Sequence, residues 1–418
     1  MDDKTGKTNK IIDYCIFFAM TAVVAVVTFI LFKNQAVHGI IYHESGLTID
    51  RFHSDMYAYM QEMQGLDSGY SFPYPVFFKL SALFDLIFSP ENSVALATCL
   101  LNTLAIIFTK FSFDHLFEEA FKDFSKKKYL IFRILTSLFA VSLFFVSMVV
   151  PPFNRFYIGT KFRYTGVFSP NPFQNATYMA ARPFAIVSYV YFMKLLSEYE
   201  KDYKGKWRDY IVFAIAFLIS TMTKPSFTLV LGAAAVVVIL VRFFANKCRT
   251  VKESIFLGLL FLPTIIDLLY QFKGVFVPST GEVGGVGFCL GDIWFQYTNN
   301  IVTSVVYAIA FPLVVLVLNI KRIKSDYKFR FAWLFYIISF CAAFFCYEKG
   351  RRAVDFNFSW SYMYGIFFLF FESVIVLIED LADKKRKGFA IAEILAFLVH
   401  LVSGIGFFLK VFSGETYY

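Results

Sequence analysis

The chain has 418 residues, of which 58% are hydrophobic and only 17% are charged. Soluble globular domains carry about 25% charged residues, so this composition excludes an ordinary soluble protein and predicts an integral membrane protein. The net charge is +9. Its basic residues are spread over several short segments, whereas nucleic-acid-binding proteins concentrate them on one face, so a nucleic-acid partner is excluded as well.

Apolar runs recur along the whole chain and are long enough to cross a hydrocarbon core of about 30 Å. They predict an all-α, polytopic membrane protein with about 11 transmembrane helices (range about 10 to 13), forming one transmembrane domain over residues 1–418. The predicted spans are 11–32, 92–109, 129–150, 176–196, 209–223, 226–243, 253–270, 298–319, 329–347, 359–378 and 389–409.

The distribution of Lys and Arg predicts the orientation in the membrane. If the N-terminus is cytoplasmic and the spans alternate, the cytoplasmic segments carry 27 of the 40 basic residues. Short cytoplasmic loops are enriched in Lys and Arg, so we expect a protein of the cell membrane with its N-terminus in the cytoplasm and its C-terminus outside.

The outer loops are longer than the cytoplasmic ones, which have no room for a soluble catalytic domain. The first outer loop, 33–91, contains an amphipathic segment near 75–88 that we expect to lie along the membrane interface or to re-enter the membrane. Further outer loops are predicted at 151–178 and 271–297. Any chemistry is therefore expected on the outer face or within the membrane.

The first outer loop carries the strongest candidate for catalysis, in the stretch His53-Ser54-Asp55-Met56-Tyr57. Most loop carboxylates are simply solvated. Asp55 differs because aromatic and polar side chains surround it in a loop that returns to the membrane at Tyr74-Pro75. Partial shielding from water raises a carboxylate pKa toward the range useful for a general base, so we predict this role for Asp55.

Four basic residues near the predicted outer ends of spans are candidates for binding phosphate. A cation next to hydrocarbon is costly and usually faces a cavity or a partner, and Arg binds phosphate bidentately. The alternative is that these side chains reach lipid headgroups or pair with nearby carboxylates such as Glu348 and Asp355. The four candidates are Arg182, Lys224, Arg351 and Arg352.

The sequence does not indicate a cofactor. It has six cysteines but no CxxC pair, so neither a structural zinc site nor a disulfide framework is predicted. Histidines and carboxylates do share the first outer loop, which leaves a divalent metal open as an alternative. These residues are His38, His43, Glu44, Asp50, His53 and Asp55.

The chain begins with a short N-terminal tail, one span, and an outer loop that contains Ser54-Asp55. Further short motifs follow at Asn175-Ala176-Thr177-Tyr178, Arg182-Pro183-Phe184, Lys224-Pro225-Ser226, Glu348-Lys349-Gly350-Arg351-Arg352 and Asn357-Phe358-Ser359-Trp360. This layout and these motifs resemble the C-type (GT-C) glycosyltransferase superfamily, in particular its uncharacterised bacterial members. Such enzymes often have two adjacent acidic residues in the first outer loop, whereas Met56 follows Asp55 here.

The resemblance implies an inverting enzyme that transfers a sugar from a polyprenyl-phosphate-linked donor to a glycan or lipid-linked acceptor. Membrane lipids surround the enzyme and are its further partners. Asp55 would be the general base, and the four cations would bind the lipid phosphate. A polysaccharide polymerase or a lipid-linked-sugar transporter or flippase of a cell-surface glycan pathway is the alternative. Side chains that could contact sugar are His53, Tyr57, Tyr178 and Trp360, although the aromatic ones also fit an interfacial belt.

Overall fold

The computed structural model describes residues 3–45, 51–149, 160–163, 165–201, 204, 206–276 and 284–415. This part of the chain is mostly helical, as the composition predicts. Its helices are α1 (Asp3–Ser45), α2 (Met56–Met63), α3 (Val76–Asp85), α4 (Pro90–Phe117), α5 (Lys126–Ser142), α6 (Ala176–Glu198), α7 (Trp207–Thr223), α8 (Ser226–Ala245), α9 (Val251–Leu259), α10 (Leu262–Phe276), α11 (Asp292–Tyr297), α12 (Ile301–Leu318), α13 (Arg322–Ser325), α14 (Tyr327–Phe345), α15 (Ser359–Ala382) and α16 (Lys387–Phe412). Short 3-10 helices lie at Thr165–Phe168, Gly350–Arg352 and Lys384–Arg386.

Seven helices of the described part are long and apolar enough to cross a membrane, and an eighth span is counted if the bent pair α9 and α10 crosses as one unit. The seven are α1, α4, α6, α8, α12, α14 and α16. The chain therefore has the helices of a multi-pass membrane protein. The sequence predicts about 11 spans, and within the described residues only seven or eight of them coincide with helices that meet this length and composition. A helix of some length is present at each of the eleven predicted spans, and α3 occupies the predicted amphipathic segment.

Two predicted spans differ from the helices observed. The span predicted at 253–270 is divided into α9 and α10, which are bent by 45°. Pro263 lies in the first turn of α10, where an N–H would have no partner within the helix, so proline is tolerated there. If α9 and α10 were one continuous helix, Pro263 would remove one of its backbone hydrogen bonds. In the span predicted at 129–150, helix α5 already ends at Ser142.

The backbone after α5 is not helical and is held by α12 and α16. Ser147 N donates to His400 O at 3.2 Å, and Val149 N donates to Tyr307 O at 2.8 Å. Irregular backbone at membrane depth is stable only where protein supplies its hydrogen bonds, and these two bonds do so.

Helix α12 is kinked at the level of this segment. Ile309 has non-helical angles (φ −129°, ψ 27°), three residues before Pro312. A proline inside a helix clashes with the preceding turn and breaks its hydrogen-bond ladder. The N–H of Phe311 donates instead to Nε2 of His400 at 3.1 Å, while Nδ1 of the same ring lies 2.7 Å from Ser147 O. His400 is thus a neutral imidazole that satisfies two backbone groups.

Helix α15 forms the centre of the bundle. Every side chain from Ser361 to Ile378 is buried, and the helix contacts α8, α12, α14 and α16. Gly365 allows α14 to approach closely, since a Cβ atom there would lie 1.7 Å from Oγ of Ser339. Aromatic rings fill much of this core, as in the stacked pair Tyr189 and Phe368 with centroids 4.3 Å apart.

A buried ion cluster joins α1, α4 and α5 at one end of the bundle. Lys110 and Arg133 each contact both Asp13 and Asp114, with N–O distances from 2.7 to 2.9 Å. Two cations alternate with two anions, so the cluster carries no net charge and can be buried. We call the end that holds it the ion-cluster end, and the opposite end, where α2 and α15 begin, the Asp55 end.

Two short strands, which the sequence analysis did not predict, lie at the Asp55 end. Strand β1 (Gly285–Phe288) pairs antiparallel with β2 (Cys346–Lys349), with Gly285 opposite Lys349 and Phe288 opposite Cys346. The pairing ties the connection between α10 and α11 to the segment between α14 and α15. That segment carries Glu348 and Arg352.

Candidate functional site

Four chain segments that are distant in sequence meet at the Asp55 end. They are the start of α2, the start of α6, the turn between α7 and α8, and the segment from β2 to the first turn of α15. Asp55 is exposed and directly precedes α2. Its Oδ2 atom accepts hydrogen bonds from Tyr59 OH at 3.1 Å and from Asn175 Nδ2 at 2.8 Å.

Asn175 joins these segments to one another. It is the N-cap of α6, where its Oδ1 accepts the N–H of Tyr178 at 2.9 Å. Its Nδ2 also donates to Tyr59 OH at 2.9 Å, in addition to Asp55. The side chain is 1% exposed, so its amide orientation is fixed by buried partners on both sides.

Lys224 brings a cation to the same amide. Pro225 follows it and disfavours helical angles, so α7 ends and Lys224 is extended (φ −166°, ψ 125°). Its Nζ donates to Thr177 Oγ1 at 3.1 Å and to Asn175 Oδ1 at 3.4 Å. Both acceptors are neutral, and within the described part of the chain Lys224 has no ion pair.

The ammonium of Lys224 is enclosed by aromatic rings and is only 6% exposed. It lies 4.7 Å from the ring centroid of Trp360 and 5.8 Å from that of Tyr74. Burial lowers the pKa of this lysine, in the turn between two helices, to about 8; Asp55 and Glu348 oppose the shift, and Arg352 adds to it. Lys224 is therefore a desolvated cation that a bound anion would stabilise.

The segment from β2 to α15 adds a second cation beside the first. Nε of Arg352 lies 3.4 Å from Glu348 and 3.5 Å from Asp355, and its side chain is 37% exposed. Asn357 Nδ2 donates to Glu348 at 2.8 Å, and Trp360 Nε1 lies 3.4 Å from Asn357 Oδ1. An ion pair thus joins Arg352 to Glu348, and hydrogen bonds through Asn357 continue from Glu348 to the ring that covers Lys224.

Aromatic side chains from the α2–α3 region form one wall of the site. Tyr59 makes edge contacts with Phe72, Phe77 and Phe78, and Tyr74 stacks on Phe78 with centroids 6.0 Å apart. Burial raises the pKa of both tyrosines, so their hydroxyls stay protonated and can donate hydrogen bonds.

The structure brings together four of the residues selected from the sequence: Asp55, Lys224, Arg352 and Trp360. His53 and Tyr57 flank Asp55 and are partly buried. The side chain of Arg351 lies outside the described residues.

Arg182 and Tyr178 lie inside the protein, where the centroid of the Tyr178 ring is 6.0 Å from that of the Trp360 ring. Arg182 is fully buried and bonded to Oδ1 atoms of Asn171 and Asn102, the latter at 2.7 Å. Its guanidinium carbon lies 4.7 Å from the ring centroid of Phe144. Tyr178 is also fully buried and donates to Pro170 O at 3.2 Å. Phosphate binding by Arg182 and sugar contact by Tyr178 stay predictions, and both would require these buried side chains to become accessible.

Arg182 instead supports the segment that leads to Asn175. It bonds Asn171 Oδ1, and Asn171 Nδ2 donates to the carbonyl oxygens of Leu143 and Val146 at 2.9 and 2.8 Å. These carbonyls belong to the non-helical backbone after α5, where they need donors within the protein. These hydrogen bonds connect Arg182 with the segment that precedes Asn175.

Several residues that connect the site were named from the sequence without this role: Asn175 and Thr177 in a short motif, Tyr74 at the return to the membrane, and Glu348 as an alternative partner of the cations. Tyr59 was missed. Asn175 stands before an apolar run, which is the signal of a helix N-cap. That signal predicts where α6 begins, but not that the amide also holds Asp55.

The described residues contain no group of three or more His, Cys, Asp and Glu side chains suited to a metal ion. The side chains of His43, Glu44 and Asp50, which the metal alternative includes, lie outside the described residues. The residues around Lys224 and Arg352 are suited to an anion instead.

Comparisons with known proteins identify no relative. No protein-family model, no curated protein and no solved structure matches this chain.

Proposed function

We propose that the protein is a membrane glycosyltransferase that transfers a sugar, with inversion, from a polyprenyl-phosphate-linked donor to a glycan or lipid-linked acceptor. The observation that best supports this proposal is that one side chain, Asn175, holds both the exposed carboxylate of Asp55 and the buried ammonium of Lys224. A general base and a cation for a leaving phosphate are the two groups that such a transfer needs.

In this mechanism Asp55 removes the proton from the acceptor hydroxyl. The oxygen attacks the anomeric carbon on the face opposite the lipid phosphate, and the bond from that carbon to the phosphate oxygen breaks. Lys224 and Arg352, together with Arg351, stabilise the negative charge on the departing lipid phosphate. None of these proposed steps uses a cofactor.

A transfer assay with purified protein in lipid vesicles and polyprenyl-phosphate-linked sugars tests the proposal. Asp55→Asn keeps the shape of the side chain but removes the base, so we expect turnover to fall by about 10²- to 10⁴-fold. The matched control is Asp67→Asn, an exposed aspartate in the same loop. Full activity of the Asp55→Asn protein would contradict the assignment.

Donor binding is measured separately with the same vesicles. Lys224→Gln is expected to weaken binding and turnover together, because the phosphate is present in the ground state and in the transition state. Lys79→Gln, on the exposed face of neighbouring α3, is the control. Movement of the lipid-linked sugar across the vesicle membrane without a new glycosidic bond would instead support a transporter or flippase.

We also propose that the Asp55 end faces the outside of the cell membrane, with the N-terminus in the cytoplasm. The excess of basic residues in the predicted cytoplasmic segments supports this orientation. Cysteines introduced at the exposed positions Asp67 and Lys324 of a cysteine-free chain test it. An impermeant thiol reagent added to intact cells should label position 67 and not position 324, and the reverse result would overturn the orientation.

A further inference from the structure

A continuous row of hydrogen bonds connects the buried Lys224 with the exposed Asp55. Lys224 Nζ donates to Thr177 Oγ1 at 3.1 Å, Thr177 Oγ1 lies 3.2 Å from Tyr59 OH, and Tyr59 OH donates to Asp55 Oδ2 at 3.1 Å. Thr177 and Tyr59 are 0% and 1% exposed. We propose that the hydroxyls of Thr177 and Tyr59 carry protons between Asp55 and Lys224.

The donors in this row can all point in one direction. An ammonium only donates, whereas a hydroxyl accepts and donates at once. Thr177 accepts from Lys224 and can turn its own proton to Tyr59, which in turn donates to Asp55. A proton can therefore move by short transfers between neighbouring atoms, and the hydroxyls rotate to reset or reverse the row.

Asn175 holds the members of the row without carrying protons itself. Its Oδ1 accepts from Lys224 at 3.4 Å and lies 3.1 Å from Thr177 Oγ1, whose single proton it accepts whenever that proton is not turned to Tyr59. Its Nδ2 donates to Tyr59 and Asp55 at 2.9 and 2.8 Å. An amide nitrogen keeps its protons at neutral pH. Asn175 is thus a positioning residue that keeps all four groups within hydrogen-bond distance.

The burial of Lys224 favours release of a proton from its ammonium. The charged groups that act on its ammonium are Asp55, Glu348 and Arg352. Burial lowers the pKa of Lys224 to about 8, so releasing a proton from it requires less free energy than from an exposed lysine. Because the side chain is buried, the row of hydroxyls is a route to water that does not require local unfolding.

The role of the row in turnover rests on the proposed glycosyl transfer. Asp55 takes the proton of the acceptor hydroxyl, and Lys224 gives one of its own protons to an oxygen of the leaving lipid phosphate. The proton on Asp55 then passes through Tyr59 and Thr177 to the neutral amine of Lys224. The carboxylate and the ammonium are both restored, and one proton has moved in total from the acceptor to the phosphate.

Hydrogen exchange at Lys224 tests the row without any substrate. The Nζ protons are observed by NMR in full-length protein with ¹⁵N-labelled lysine, and their signal is assigned with Lys224→Arg. Thr177→Val removes the hydroxyl at nearly constant volume, and we expect exchange with water to slow by about tenfold or more, since only local opening then exposes the ammonium. Thr177→Ser, which keeps a hydroxyl, should exchange as fast as the wild type.

Tyr59→Phe provides a second variant that leaves the bond between Lys224 and Thr177 in place. It should slow the exchange as Thr177→Val does. If both variants exchange at the wild-type rate, the proton row is wrong, whatever the protein catalyses.

The transfer assay then separates this inference from the proposed function. If the row carries protons during turnover, Thr177→Val should lower kcat about tenfold or more and leave KM for the donor nearly unchanged. The solvent isotope effect on kcat should also decrease, and Thr177→Ser should restore both values. If the wild type is active and the Thr177→Val variant is equally active, the row takes no part in turnover. An inactive wild type would contradict the glycosyl transfer alone, and the exchange rates would still decide the row.

Discussion

Asn175 caps helix α6 with its side-chain oxygen and bonds Asp55 with its side-chain nitrogen, 2.8 Å from Oδ2. The start of a membrane helix and the orientation of the candidate base are therefore set by one amide. Stability and activity can be separated at this position, because one oxygen suffices for the cap whereas the bond to Asp55 needs the nitrogen.

Asn175→Asp should keep the stability and lose the activity. Aspartate is as good an N-cap as asparagine, and the Lys224 ammonium, 3.4 Å from the capping oxygen, would pair with the new charge, so we expect thermal unfolding in detergent close to that of the wild type. The new carboxylate would face Asp55 without a donor, and repulsion between like charges should reduce transfer by about tenfold or more. Asn175→Ala, in contrast, should lose about 1 kcal/mol from the missing cap. Transfer by Asn175→Asp at the wild-type rate would show that Asp55 needs no such support.

Donor binding should depend on pH through Lys224. Its pKa is lowered to about 8, so the ammonium that binds phosphate is lost as the pH rises through this value. We expect affinity for the donor to fall by about tenfold per pH unit above that pKa, as the protonated fraction does. Lys224→Arg should shift this decline to higher pH, because arginine stays charged. Binding isotherms from pH 6.5 to 10 measure the effect, and a flat profile in the wild type would contradict it.

The same pKa shift affects the free energy of unfolding. Lys224 has a lower pKa folded than unfolded, so the unfolded chain binds more protons between about pH 8 and the ordinary lysine value. This residue therefore destabilises the fold below its folded pKa, and stability rises with pH across that window. In Lys224→Gln the contribution should be absent, which a comparison of unfolding curves at several pH values would reveal.

Arg182 should be needed for stability more than for binding. Arg182→Met would leave Oδ1 of Asn102 and of Asn171 without their donor, and an unpaired buried acceptor costs about 1–3 kcal/mol. We expect a clearly lower midpoint of unfolding in detergent, with donor affinity per folded molecule nearly unchanged. Arg163→Met is the control, because Arg163 is an exposed arginine that lies over the Tyr297 ring and outside this network. A variant that keeps its stability but loses donor binding would instead support the phosphate-binding role that the sequence predicts for Arg182.

Two glycines of α16 give a matched pair for the packing of the non-helical segment after α5. A Cβ on Gly404 would lie 1.6 Å from O of Phe145, whereas one on Gly406 would meet nothing within 4 Å. Gly404→Ala should destabilise the protein by about 1–3 kcal/mol or more, since the backbone must move. Gly406→Ala should be neutral or stabilising by up to about 1 kcal/mol, because alanine favours the helix. Equal effects of the two changes would contradict this packing.

The sequence by itself determined the class of protein and the positions of the helices. Apolar runs long enough to cross a membrane require a helix, because the backbone must satisfy its own hydrogen bonds in lipid. The runs at 92–109 and 226–243 therefore correspond to α4 and α8 with small shifts at their ends. Lys224 could also be selected, because a charge beside an apolar run is costly, and Asp55 could be selected because of the aromatic and polar residues around it in the first outer loop.

Only the tertiary structure decided which of these charges meet. Arg182 and Lys224 look alike in sequence, each followed by a proline near a helix end, but one is sealed by Asn102 and Asn171 while the other reaches Thr177 and Asn175. Their different partners come from segments far away along the chain, and a local pattern holds no information about such contacts. The end of α5 at Ser142 could not be predicted for the same reason. The non-helical backbone that follows takes its hydrogen bonds from α12 and α16, and without those helices the apolar sequence favours a longer α5.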